Sequence, residues 1–430
     1  MIIYRARVYD TPVDPFDGGE IRGDADAGIA VDGGAILARD AFAAVRDRWP
    51  EAEVVDLRDG VLIPGMIDTH VHFPQIRAIG HLGRPLLEWL DHCALPEEVR
   101  LGDPAYAREI AAEFVHGLVS SGTTSALVFG SHFAAAVDAL FAEGERVGLR
   151  VTSGLVTSDR ILPEPLLTTP ERSRAEAAAL IERWHGTGRA RYAITPRFAF
   201  SASAELLESD ASLLELADDL WFTSHVNENA AEIAGVAEMF PDARDYVDCY
   251  DRAGLLSRRS ILAHNVSPTD AELARLGELG AGVAHCPTSN SALASGFFPL
   301  RRHLDHGVRV ALGSDVGAGN GFSLFKEGAQ AYFMQQLAPT GGVPLAAAHL
   351  LHLATAAGAD ALGLSESVGD LSEGKRFDAV WVRPAAGEPL DVGLRHAQSD
   401  DDAVAKLFAL GTPADVARVW IDGELVASRR

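Results

Sequence analysis

Two histidines one residue apart, His70 and His72, close an apolar run that reads Val61-Leu-Ile-Pro-Gly-Met-Ile67. On extended backbone, side chains two positions apart point to the same side, so both imidazoles can face one metal ion. Similar polar punctuation ends later apolar runs: Ser224-His225-Val226-Asn227-Glu228, Ala263-His264-Asn265 and Gly313-Ser314-Asp315. Several neutral imidazoles with one carboxylate suit Zn²⁺ or a similar borderline ion. A catalytic metal of this kind keeps one position open for water and lowers that water's pKa towards neutrality. Asp315 would orient the water and take its proton, and Glu228 would carry a proton to the substrate. Taken singly, each residue has a plainer reading. A lone His225 or His264 is more often a hydrogen-bonded core residue, Asp315 a cap or turn residue, and Glu228 a solvated acid. Recurrence at four strand ends argues for one shared site. The remaining histidines lack this support and are assigned to structure, with His81 and His285 lying nearest the proposed rim.

Such residues need a frame that brings strand ends together. Between about residues 62 and 375, short β-branched runs alternate with alanine- and leucine-rich helical stretches. The strand candidates are Val61–Ile67, Thr123–Phe129, Arg150–Val156, Tyr192–Phe198, Trp221–Val226, Ser260–His264, Ala281–Cys286 and Val308–Ser314. Helix candidates between them include Pro104–Ser120, Ala134–Arg146, Arg172–Trp184 and Asp270–Leu279. Eight such units are the count of an α/β fold of the (β/α)8 TIM-like barrel type, whose C-terminal strand ends form a single catalytic rim. An open doubly wound sheet has the same periodicity, but no Gly-x-Gly-x-x-Gly follows the first strand. The two ends of the chain share a different texture of short strands and hairpins, such as Asp32-Gly33-Gly34 and Asp422-Gly423. They are expected to form one small β-sandwich domain from residues 1–61 and 377–430, beside a catalytic barrel over 62–376.

Composition narrows the function. The chain has 61 Asp and Glu against 37 Lys and Arg, a formal net charge of −24. That opposes a nucleic-acid partner, which needs a basic face. No stretch approaches the roughly 18 apolar residues of a membrane span, so no membrane partner is expected. The 3 cysteines, Cys93, Cys249 and Cys286, are far apart, odd in number and form no Cys-x-x-Cys. That pattern argues against a disulfide framework and excludes a zinc ribbon, and a reducing cytoplasm fits.

Pro64-Gly-Met-Ile-Asp-Thr-His-Val-His72, His225, His264 and Gly313-Ser-Asp315 together resemble the amidohydrolase superfamily. Within it, the chain resembles the guanine deaminase family. The matching pieces include Asp68-Thr-His-Val-His-Phe-Pro-Gln75, Leu86-Leu-Glu-Trp-Leu90, Ala193-Ile-Thr-Pro-Arg-Phe198, His225-Val-Asn-Glu-Asn229 and Gly313-Ser-Asp-Val-Gly-Ala-Gly319. The resemblance implies a (β/α)8 barrel beside a β-sandwich, one zinc per chain, and hydrolysis of guanine to xanthine and ammonia. It implies His70, His72, His225 and Asp315 as zinc ligands, with His264 either a further ligand or a hydrogen-bond partner of the activated water. It implies Glu228 as proton shuttle and Gln75, Arg197, Phe198 and Trp89 around the purine. The chemistry agrees: Arg and Gln present donors to a lactam edge, and Phe presents a stacking face. The expected partner is a small purine, and the expected assembly a homodimer. Two segments depart from the family pattern, Ala199-Phe-Ser-Ala-Ser203 and Asp91-His-Cys-Ala-Leu-Pro-Glu-Glu98. Both lie near the expected substrate loops, which leaves room for a related amino-heterocycle such as a pterin or 8-oxoguanine. An inert binding barrel would show a lost ligand or a lost Glu228, and none is lost.

Overall fold

Short strands from both ends of the chain pair into one sheet. A computed structural model describes residues 1–429. The N-terminal strands are β1 (Ile2–Asp10), β2 (Arg22–Asp32), β3 (Ala35–Ala41) and β4 (Glu53–Pro64). The barrel strands are β5 (Met66–His72), β6 (Thr123–Phe129), β7 (Arg150–Gly154), the two-residue β8 (Val156–Thr157), β9 (Arg191–Pro196), β10 (Trp221–Val226), β11 (Ser260–His264), β12 (Gly282–His285) and β13 (Arg309–Leu312). The C-terminal strands are β14 (Ala379–Val382), β15 (Val416–Ile421) and β16 (Glu424–Ser428).

The terminal sheet has the order β16-β15-β14-β4-β1-β2-β3, antiparallel except between β1 and β4. It is one continuous sheet, where two facing sheets were expected. Tyr4 on β1 stacks on Phe377 at 4.5 Å and meets the edge of Trp420 at 5.3 Å. β4 and β14 lie between the strands of Tyr4 and Trp420, so the sheet curls over its own apolar core. Backbone bonds from Ile36 N to Lys375 O and from Phe377 N to Gly34 O, each 2.8 Å, tie the curl together.

The expected strand Val61–Ile67 is in fact two. Val61–Ile63 end β4 in the terminal sheet, and Met66 opens β5 in the barrel. Pro64 brings no amide donor, and a Cβ on Gly65 would lie 2.2 Å from Thr124 Oγ1. The Pro-Gly pair therefore passes the chain from one sheet to the next. A second difference lies in the C-terminal segment expected to be β-rich. Residues Pro389–Arg395 and Asp400–Leu410 are helices, and the second packs on the barrel's outer helices, with Phe408 5.5 Å from Phe325.

The barrel strands are parallel in the order β13-β12-β11-β10-β9-β7-β6-β5, with β8 extending the pairing with β9. Hydrogen bonds from Asp315 N to His70 O (2.8 Å) and His72 N to Val316 O (2.9 Å) join its two ends. The outer helices follow from their sequences. Asp103 caps Pro104–Ser120 by accepting from Ala105 N at 2.8 Å, and Ala107, Ile110, Ala111, Phe114, Val115 and Leu118 make one buried stripe. Each large apolar side chain so buried stabilises by about 1.5–3 kcal/mol. A Thr269–Glu272 capping box opens Asp270–Leu279, and Gly280 in the left-handed region (φ 62°) ends it. Over the barrel mouth, Leu86–Trp89, a π-helical turn Leu90–Ala94 and Leu95–Arg100 form a broken helix. It carries Trp89 and Glu98 inward.

Candidate active site

The rim of the barrel holds its backbone under strain. His264 (φ 71°), Asn265 (44°), Asn227 (50°) and Asp315 (48°) all take the left-handed conformation that L-residues seldom adopt. Such outliers cluster where surrounding structure over-determines them. Part of that structure is Asp68, on β5 two residues before His70. Its buried carboxylate accepts from His70 N (3.2 Å), Ser314 N (3.0 Å) and Ser314 Oγ. Asp68 thus straps β5 to the turn after β13 and sets His70 beside Asp315. Burial pushes its carboxyl up to about 7 against the pull of these hydrogen bonds.

Four of the expected ligands converge tightly. His72 Nε2 lies 3.1 Å from His225 Nε2. Asp315 Oδ1 lies 3.2 Å from the Nε2 atoms of both His70 and His72. Ligand atoms of a tetrahedral zinc with bonds of about 2.0–2.1 Å stand roughly 3.3–3.4 Å apart, so these spacings suit one small cation. Both ring nitrogens of buried His70 lack a well-directed hydrogen bond, an expensive state unless something else binds them. Burial drives His70 down to about 3 and His225 well below its ordinary value, keeping the imidazoles neutral as ligands must be. Burial opposes ionisation of Asp315, but the His70 and His72 rings 3.2 Å from its Oδ1 hold its carboxyl well below the usual range. The donor set, three neutral imidazoles and a carboxylate, fits a divalent borderline metal.

Outer partners orient these rings. His225 Nδ1 donates to Arg197 O at 2.6 Å, and His264 Nδ1 to Asn290 Oδ1 at 3.1 Å, leaving each Nε2 facing the centre. His264 stands further out than the other rings, its Nε2 3.8 Å from Asp315 Oδ2 and 3.6 Å from Glu228 Oε2.

Glu228 is buried beside the ligand cluster, and its Oε1 has no hydrogen-bond partner. Burial, then the charges of Glu232 and Asp315, raise its carboxyl well above the ordinary range, which favours the protonated form. A neutral carboxylic acid placed there can donate that proton.

Beside the ligand cluster opens a narrow cavity lined by His72, Gln75, Trp89, Arg197, Phe198, His225, Glu228, His264 and Asp315, with Leu86, Leu90, Leu293 and Ala318. All the candidate site residues except His70 line it. His70 lies behind them, fully buried. His81 is exposed and outside the lining. His285 is buried but stacks on Phe298 at 4.2 Å, also outside the lining.

Two further residues escaped the sequence reading. Glu98 receives Arg197 Nη1 at 2.8 and 2.6 Å and Gln75 Nε2 at 2.8 Å, and His132 Nδ1 stands 3.4 Å away. Burial pushes the Glu98 carboxyl up, but the Arg197 charge and the contact with His132 outweigh it and hold the group ionised. A helical reading of Leu95–Arg100 would have found Glu98, three residues after Leu95 and so on the same buried face.

The amidohydrolase family profile matches residues 61–426. The chain belongs to the amidohydrolase family. It is 58% identical over 435 residues to the probable guanine deaminase of Deinococcus radiodurans, with 100% of this chain and 99% of that protein covered. The structure of E. coli guanine deaminase superposes with a TM-score of 0.96 at 36% identity, covering 100% of both chains. A guanine deaminase from C. acetobutylicum with bound guanine in the active site superposes with a TM-score of 0.90 at 26% identity, covering 98% of this chain and 99% of that one. Among the described residues no helix is long and apolar enough to cross a membrane.

Proposed function

We propose that this amidohydrolase deaminates guanine by hydrolysis, giving xanthine and ammonia. The observation that carries the reading is one cavity beside a three-imidazole, one-carboxylate cluster, into which Glu228 and the side chains of Arg197 and Gln75 also face. Similarity to guanine deaminases over the whole chain supports it. One Zn²⁺ per chain, held by His70, His72, His225 and Asp315, would supply Lewis acidity and lower the pKa of the water that attacks C2. Asp315 would accept a proton from that water, and His264, in its outer position, would hydrogen-bond it or serve as a further ligand. Glu228 delivers a proton to the ring nitrogen beside C2, and the proton taken up by Asp315 passes to the amino group, which leaves as ammonia while the C2 hydroxyl returns its proton to Glu228. Arg197 and Gln75 donate to the lactam edge, while Phe198 and Trp89 bound the ring and exclude solvent. A site built to pair a polar edge rejects analogues that lack it, because its own buried groups are then left unpaired.

The assay is ultraviolet and ammonia-release measurement on guanine, adenine, 8-oxoguanine and a pterin, with metal analysis of the same sample. Guanine turnover far above the others, with about one metal per chain, is expected. Adenine turnover comparable to guanine, or full activity in metal-free protein, would overturn the reading.

We also assign residues 1–64 and 377–429 to one discontinuous sheet domain and 66–376 to the catalytic barrel, the boundary expected at residues 61 and 62 falling instead at Pro64-Gly65. The continuous pairing of β14–β16 with β1–β4 supports the assignment. A cytoplasmic setting is supported by three free, buried cysteines. A homodimer is supported by exposed Phe333 and Leu337 on one face of the helix Leu324–Leu337.

A further inference from the structure

Both side chains that would read the purine edge converge on a single carboxylate that has no part in the chemistry. Arg197 Nη1 donates to both oxygens of Glu98 at 2.8 and 2.6 Å, and Gln75 Nε2 donates to Oε1 at 2.8 Å. His132 Nδ1 lies 3.4 Å from Oε2. Glu98 is 2% exposed, Arg197 3% and Gln75 1%. The four residues come from four separate segments, and Glu98 is the point at which they meet.

The pairing has two consequences. The first is geometric. Arg197 would otherwise swing among rotamers, and Gln75 could present either end of its amide. Bonded to Glu98, Arg197 is fixed, and Gln75 has one N–H of its amide on Glu98 and its Oε1 turned towards Gly317 N at 3.4 Å, which fixes which end of the amide is the donor.

The second consequence is electrostatic. A buried guanidinium without a counter-charge is an anion trap, whereas Arg197 and Glu98 sum to zero. Guanine reaches the pocket as a neutral lactam. Its hydrolysis product has carbonyls on both sides of a ring N–H, which makes it a stronger acid, partly ionised near neutral pH. An uncompensated Arg197 would hold that anion better than it holds the substrate.

Resting on the guanine reading above, we propose that Glu98 is a positioning residue that fixes Arg197 and Gln75 and cancels the guanidinium charge, so that the pocket grips a neutral lactam and releases an anionic dione. A unit charge about 6 Å away, at the effective dielectric of protein sites, changes affinity for an anion by on the order of tenfold or more.

The experiment is calorimetric binding of xanthine and of hypoxanthine, a neutral lactam without the second carbonyl, to metal-loaded wild-type protein and to Glu98→Gln. The substitution keeps the shape and removes the charge. The affinity ratio of xanthine to hypoxanthine should rise by about tenfold or more in Glu98→Gln. Glu98→Asp keeps the charge on a shorter arm, and should leave that ratio near the wild-type value while lowering kcat/KM for guanine. A ratio unchanged in Glu98→Gln overturns the proposal.

Wild-type protein alone gives a second test. The charged and titratable groups facing Arg197 are Glu98 and His132, with Glu228 and Asp315 across the cavity. Xanthine should bind no tighter at a pH where its anion predominates than where its neutral form does. A tightening of about tenfold or more would overturn the proposal even if Glu98→Gln failed to fold. Binding measurements need no turnover, so failure of guanine deamination in the wild type would count against the functional reading alone.

Discussion

Replacing Glu228 by glutamine separates chemistry from folding, because the structure gives the two effects opposite signs. Glu228 is fully buried, faces the charges of Glu232 and Asp315, and stands 3.6 Å from His264 Nε2. Its folded pKa is raised, so the folded chain keeps a proton that the unfolded chain releases above about pH 4.5. Stability therefore falls as pH rises from there towards the folded value, and at neutral pH the residue is a cost to the fold. Glutamine retains the shape without that cost. Glu228→Gln should melt at the wild-type temperature or above it at pH 7, and should gain nothing at pH 4. Activity goes the other way. Glutamine cannot deliver a proton to the ring nitrogen, and a positioned general acid is worth about 10²–10⁴ in rate, or ~3–5 kcal/mol of barrier. We expect kcat for guanine to fall by that factor while KM changes by less than about fivefold, since an interaction made only in the transition state appears in kcat. The measurements are steady-state loss of guanine absorbance with ammonia release, and thermal melts at both pH values. A kcat within about tenfold of wild type would refute the proton-donor role. A large fall in melting temperature at pH 7 would refute the account of its burial.

Arg197→Ala should lower kcat/KM for guanine by on the order of 10²-fold, the loss of a charge-assisted contact worth ~3 kcal/mol. It should also destabilise the protein by ~3–5 kcal/mol, read as a lower melting temperature, because Glu98 is left buried and unpaired. Phe377→Ala removes a fully buried ring stacked on Tyr4 and should cost about 3–5 kcal/mol in denaturant unfolding. Phe377 packs in the core of the terminal sheet, away from the site lining, so the protein that remains folded should keep the wild-type kcat.

Much of the barrel was legible because parallel strands buried on both faces are written as continuous β-branched runs. β6, β10 and β11 have the bounds read from the sequence, as do the helices Pro104–Ser120 and Asp270–Leu279. Failure came where two elements share one apolar run. Val61 to Ile67 carries no interruption in hydrophobicity, and only the conformational demands of Pro64 and Gly65 mark the change of sheet. The C-terminal helix Asp400–Leu410 was hidden by the hairpins around it. Its own signals were present: Ser399 as cap, three acids in the first turn, and Ala403, Val404, Leu407 and Phe408 on one face.

The site divides in the same way. His70, His72, His225, His264 and Asp315 sit at strand ends, where fold and chemistry share one register, and the structure brings them together. Glu98 and His132 lie outside the strands. The cue for Glu98 is a buried helical position, and that requires knowing what the helix covers. Its value lies in partners 23 residues away at Gln75 and 99 away at Arg197, a separation at which no periodicity connects residues. A carboxylate in a helical stretch reads as a solvated acid until the arginine it neutralises is seen in the same dry pocket. Ionised and buried, Glu98 is tolerable only because Arg197 is there, and Arg197 can face a neutral base only because Glu98 is. Neither charge has a function that can be read from its own neighbours in the chain. Strand-end ligands are written locally and the charge balance of a pocket is not, so the metal cluster could be found from sequence while the groups that set the pocket's charge required the fold.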